Sequence, residues 1–159
     1  MKELKISRDN AIRAFKSADQ NGKLLLEALF GQEVLDEKLT ERIKTYEDAC
    51  VLTSIKPLSV LDFLFLPEKD QESSLAHHQL TVIAKCLNDG WEPDWHDNTQ
   101  HKYYPHFIWG ESRLGFMYYN CGWTTCYTAI HSRFVFKSHE LAEYAGKQFL
   151  SIYFDLIAL

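Results

Sequence analysis

The sequence predicts an α+β fold with a helical N-terminal half, a four-stranded antiparallel meander and a C-terminal helix packed on the sheet. Three observations lead there. Apolar residues recur at helical spacing through residue 88, the pattern changes to short aromatic and β-branched segments after residue 102, and a broad apolar stripe returns after Ser138. The chain has 159 residues, 46% of them hydrophobic and 25% charged, which suits a single domain with a real core and excludes a disordered chain. Within it, 1–31 forms a helical hairpin able to stand semi-independently, 41–90 carries helices, 103–137 the sheet and 138–157 the closing helix. The soft boundary is 32–40.

Taken in order, Ser7 caps a first helix bearing Ile12 and Phe15, and Asp19-Gln20-Asn21-Gly22 interrupts it. Leu24, Leu25, Ala28 and Leu29 then form one apolar stripe, closed by Gly31 where a left-handed cap is wanted. Thr45 lies three residues before Asp48, a capping-box variant, and Pro57 stops the helix that follows. The run Leu58 to Leu66 is too short to span a bilayer and too apolar for water, so it is expected to be buried, with a partner surface as the alternative. From Asp70 to Asn88, Leu75, Gln79, Val82, Ile83, Cys86 and Leu87 predict the longest N-terminal helix, ended at Gly90.

Four strands are expected at Tyr103 to Trp109, Arg113 to Tyr119, Trp123 to Ile130 and Arg133 to Lys137. Gly110-Glu111-Ser112, Asn120-Cys121-Gly122 and His131-Ser132 read as the turns between them. Pro105 cannot donate to a ladder, which puts the first strand at an edge or on a bulge. Ser138 caps the closing helix, whose stripe runs through Leu141, Tyr144, Ala145, Phe149, Ile152, Tyr153 and Leu156.

The segments ISRDNAIRAFKSADQNGKLLLEALFG, ERIKTYEDAC, VIAKCLNDGWEPDW and RFVFKSHELAEYAGKQFLSIY resemble those of small phage and mobile-element proteins of anaerobic gut bacteria. The shared pattern is a helical start, a Gly-Trp-x-Pro-Asp-Trp turn (here Gly90 to Trp95), a Tyr- and Trp-rich sheet and an Ala-Glu-Tyr-Ala-Gly-Lys-Gln-Phe helix. The resemblance implies phage or prophage cargo and carries no activity, ligand or catalytic residue.

Charge and motifs narrow the function. A net charge of -5 argues against a protein whose main task is neutralising phosphates. The start lacks the apolar stretch of a secretory signal and no segment is long and apolar enough to span a membrane, so the cytoplasm of a bacterial host is the expected location, with no membrane partner. Cys50, Cys86, Cys121 and Cys126 are too sparse for a disulfide framework. There is no Gly-x-Ser-x-Gly elbow and no Gly-rich phosphate loop.

Three chemistries stay in view. His96, Asp97 and His101, with Asp94 and His106 nearby, have metal-binding side chains without a recognised metal spacing, and residues of these types also serve polar turns; no cofactor is expected. Cys121 or Cys126 with His131 has the composition of a nucleophile and base, in surroundings that match no protease. Gly115 to Tyr119, preceded by Arg113, resembles the strand signature of RNA-recognition sheets, but the element order differs and 91–137 balances four basic against four acidic residues.

The aromatic content carries the functional expectation. Of 22 aromatic residues, 13 fall between Trp91 and Phe136, and Trp and Tyr are enriched at interfaces. Trp91, Trp95, Tyr103, Tyr104, Trp109, Tyr118, Tyr119, Trp123 and Tyr127 are the candidate binding residues. The expected function is a non-catalytic phage or mobile-element protein that binds a host or phage protein and can inhibit a host defence system. A single-stranded nucleic-acid-binding sheet and a small metal-dependent enzyme using the His/Asp loop are the alternatives.

Overall fold

The computed structural model describes residues 6–35, 38–110, 115–127 and 133–158, apart from the side chains of Arg8, Asp9, Gln32 and Glu33. It is α+β, and the chain divides into two compact units, Met1–Arg42 and Ile43–Leu159. In the first unit, α1 (Arg8–Ser17) starts at Ser7, whose side chain accepts from the Asn10 N–H. Asp19 caps α2 (Gln20–Phe30) by accepting from the Gly22 N–H, and Gly31 ends it at φ 77°. The helices α3 (Gln32–Leu35) and α4 (Leu39–Arg42) follow, with α3 packing on α1. The apolar stripe of α2 is not a core stripe: Leu24, Leu25 and Leu29 are all exposed.

The second unit opens with α5 (Tyr46–Thr53), and its capping box is the one expected. Lys44 and Thr45 N–H groups donate to the Asp48 carboxylate at 2.9 Å each, while Asp48 N–H donates to Thr45 Oγ1 at 3.1 Å. The apolar run after Pro57 forms a short 3₁₀ helix, η1 (Val60–Phe63), held by Asp62, which accepts from Ser59 N–H and Oγ. Burial of the whole run is not what forms. Leu58, Val60, Phe63 and Leu66 are partly covered, whereas Leu61 and Phe65 are 74% and 80% exposed, because one short turn can press only one side on α6.

The scaffold is α6 (Glu68–Asn88), which buries Ala76, Leu80, Val82, Ile83, Ala84, Cys86 and Leu87. Asp89 and Gly90 turn the chain through successive positive φ values of 48° and 77°, the second favouring glycine. Among the described residues the sheet is a hairpin of β1 (Lys102–Trp109) and β2 (Phe116–Thr124), not a four-stranded meander. β2 joins the described end of the second predicted strand to the start of the third, passing through Asn120-Cys121-Gly122 without a turn. Gly122 is there because His106 and Tyr104 lie over it: a Cβ would stand 2.6 Å from His106 Cε1. The fourth strand shrinks to one bridge, in which Tyr103 and Phe136 exchange N–H···O bonds of 3.0 and 2.7 Å. Residues 111–114 and 128–132, including parts of the predicted strands and turns, lie outside the described residues.

The register slips by one between His106 and Phe107, which pair with Asn120 and Tyr118 and leave Tyr119 as an extra residue. One face therefore carries Tyr103, Pro105, Phe107 and Trp109 opposite Trp123, Cys121, Tyr118 and Phe116. That face meets the closing helix, which is two pieces, α7 (His139–Gln148) and α8 (Leu150–Ile157), parted at Phe149. Contact is close: a Cβ on Gly146 would lie 2.7 Å from both Pro105 Cβ and Tyr118 Cδ2. Segment 134–137 is tied to α6 by Asn88, whose amide donates to Val135 O at 2.8 Å and accepts from Lys137 N–H at 3.0 Å. No helix among the described residues is long and apolar enough to cross a membrane.

Candidate functional site

The candidate aromatic residues do not form one surface; the second unit distributes them over three places. At the turn end of the hairpin, Phe107 stacks on Phe116 at 5.0 Å, and Trp109 leans on Phe116 and on Phe154 of α8 at 5.1 and 5.7 Å. Tyr153 packs on Phe107 at 4.7 Å. Phe107, Trp109, Phe116 and Tyr153 wall a cavity of about 470 Å³ between the hairpin and α8, completed by Phe134, Leu156 and Ile157 among others. Tyr104, His106 and Tyr119 also line it, so the cavity wraps past the strand backbone. Trp109 and Tyr119 are 53% and 62% exposed beside it. Ile108 and Met117, opposite each other on the other face, add apolar surface.

At the open end of the hairpin, exposed Trp123 stacks on His101 at 4.6 Å and 17°, and Tyr103 meets His101 and His139 edge-on. Tyr127, the most exposed of the nine candidates, has its backbone carbonyl accepting from Thr124 Oγ1 at 3.0 Å. Tyr118 faces α7 and is a packing residue: the Lys147 ammonium lies 5.3 Å from its ring centre, and Glu143 pairs with Lys147. Tyr104 is half-buried against His106, itself hydrogen-bonded to Asn120 at 2.9 Å.

Trp91 and Trp95 lie elsewhere, in a shallow groove of about 450 Å³ on the C-terminal half of α6 with Lys85, Glu92 and Arg133. Their loop is anchored by a lysine that sequence reading missed. Lys102 is completely buried, its ammonium donating to Asp97 O at 3.0 Å and Gln100 O at 2.9 Å and facing the Trp95 ring at 5.5 Å. The sequence carried no sign of this, since the first strand was expected from Tyr103 and lysines are rarely fully buried.

The candidate metal ligands His96, Asp97 and His101 are not gathered into a site among the described residues. Asp97 accepts from Thr99 N–H and Oγ1 at 2.8 and 2.6 Å, bonds that hold its carboxyl below the usual aspartate range. His96 is exposed, its backbone N–H donating to Asp94, and His101 is engaged with Trp123. The described residues contain no group of three His, Cys, Asp or Glu placed to hold an ion. Asp94 and Asp97 are turn formers, the role that Asp commonly has in polar loops.

The cysteine arrangement lies partly outside the described residues, and what is described concerns the thiols alone. Burial pushes the Cys121 thiol up, with Glu143 and Glu140 adding to it against a backbone hydrogen bond, which opposes thiolate formation. Cys126 is exposed, and His131 lies outside the described residues, as does Arg113 of the RNA-recognition-like strand. All four cysteines are free. No protein-family model, curated protein or solved structure matches the chain.

Proposed function

We propose that this is a non-catalytic binding protein, encoded by a phage or mobile element, which acts by holding a host or phage protein against the turn end of its hairpin. One observation carries the reading: Trp109 and Tyr119 stand exposed beside an apolar cavity on a strand pair braced by α8. Large, half-exposed aromatics on a rigid support are the side chains that dominate protein interfaces, since they bury much surface while losing little conformational freedom. The reading extends to inhibition of a host defence system by occupying one of its components. The test is capture of a partner from host lysate, followed by calorimetry with that partner purified. Trp109→Ala and Tyr119→Ala should each weaken binding roughly 30-fold or more, the loss of a hot-spot residue, with unchanged circular dichroism. Affinity indifferent to both would sink the proposal.

A second reading, single-stranded nucleic acid, rests on the Trp91/Trp95 groove, where Lys85 and Arg133 supply cations beside two stacking surfaces. Glu92 in the same groove and the net charge of -5 weigh against it. Oligo(dT) quenching of tryptophan fluorescence that weakens steeply with salt and is lost in Trp91→Ala would favour this second reading.

A further inference from the structure

We propose that the cavity between the hairpin and α8 is a binding site for an uncharged, ring-bearing small molecule carrying a hydrogen-bond acceptor, which the Tyr153 hydroxyl serves as donor. The proposal goes beyond protein binding at Trp109 and Tyr119 and can hold or fail without it. Three observations support it. The volume of about 470 Å³ falls in the range of small-molecule sites, and its walls include the rings of Phe107, Phe116, Phe134 and Tyr153 with Leu156. Among the described residues no Asp, Glu, Lys or Arg lines it, and its one imidazole, His106, is already hydrogen-bonded to Asn120, so no carboxylate, ammonium or guanidinium there repays the desolvation of a charged ligand. Tyr153, 4% exposed, has a buried hydroxyl with no hydrogen-bond partner among the described residues.

The last point gives the site its chemistry. A phenol removed from water and left unpaired is a standing cost to the fold, and a ligand acceptor brought to it recovers that cost. Burial raises the pKa of Tyr153, so the neutral phenol is the species present and its proton is available to donate. The hydroxyl is closed to water in the empty protein, so contact requires a wall side chain to change rotamer. Leu156 and Ile157, three and four residues further along α8 and lining the same cavity, are the side chains the proposal requires to move.

The experiment is an NMR titration of the full chain with benzophenone, diphenylmethane and 4-benzoylbenzoate. They represent a neutral acceptor, the same two rings without an acceptor, and a charged analogue. Benzophenone should bind about tenfold more tightly than diphenylmethane, the worth of one buried hydrogen bond, and 4-benzoylbenzoate more weakly than benzophenone. Tyr153→Phe should bring the first two to equal affinity while leaving the melting temperature of the empty protein unchanged or higher. The inference is overturned by absence of benzophenone binding, by equal binding of benzophenone and diphenylmethane to the native protein, by a preference that survives Tyr153→Phe, or by tighter binding of the charged analogue. Partner affinity in the same Tyr153→Phe protein tests the other reading separately, because Trp109 and Tyr119 are untouched.

Discussion

Asn88 does the work of a peptide group. Its side-chain amide gives one donor and one acceptor to segment 134–137, where a neighbouring strand would have supplied both. Asn88→Leu should therefore cost about 2–3 kcal/mol, read from urea unfolding, because a carbonyl and an N–H lose their partner together. Asp48 makes a pH prediction. Hydrogen bonds from the Lys44 and Thr45 backbones, then from the Thr45 hydroxyl, hold its carboxyl below the usual aspartate range in the fold. Its ionised form is thus favoured in the fold, the stabilisation is complete above the ordinary aspartate value near 4, and it is lost as the pH falls below that through the depressed folded value. Urea midpoints measured between pH 5 and pH 2 should fall less in Asp48→Asn than in the native chain. Equal slopes would show that the box does not contribute. Lys102 was not legible in the sequence because what buries it is a pair of carbonyls, and backbone acceptors leave no trace in a residue string.

At the scale of elements, the capped helices were readable and the sheet was not, for a definable reason. Ser7, Thr45 and Ser138 satisfy N–H groups three residues away, as does Asp19, read in the sequence only as an interruption, so cause and effect lie in one short stretch of sequence. The hairpin depends on contacts between distant residues. Counting by twos from Phe116 puts Asn120 and Gly122 on the face of Tyr118, whereas the bulge at Tyr119 puts Cys121 and Trp123 there. Asn120-Cys121-Gly122 looked like a turn because its glycine is usually a sign of one; here the glycine makes room for two rings. The approach of α7 to the hairpin rests likewise on Gly146. Gly146→Ala should destabilise by about 1–3 kcal/mol, since the new methyl would meet Pro105 and the Tyr118 ring rather than a mobile side-chain end. Thermal unfolding with no loss would show that the helix can lift away without cost.

Over the whole molecule, the aromatic enrichment seen in the sequence has two uses. Phe107, Phe116, Phe134, Phe136 and Tyr153 build the packing around the hairpin, while Trp109, Tyr119, Trp123 and Tyr127 remain outside it. Composition could locate the enrichment but could not divide it, because the division depends on which face α7 and α8 cover. Leu61, Leu64 and Phe65 show the same limit for the apolar run, which is solvent-facing on one side despite its hydrophobicity. The double change Leu61→Ser with Phe65→Ser should shift stability by less than about 1 kcal/mol and reduce binding of a hydrophobic dye, whereas Leu80→Ala in α6 should cost about 2–5 kcal/mol. A large loss in the double variant would mean that these side chains are covered in solution. The bulge, finally, makes Tyr119 dispensable in a way its neighbours are not. Removing it joins Tyr118 to Asn120 and leaves Phe107 opposite the one and His106 opposite the other, with every later pair intact. A chain with Tyr119 deleted should thus keep its hairpin while losing the exposed ring on which the proposed interface depends.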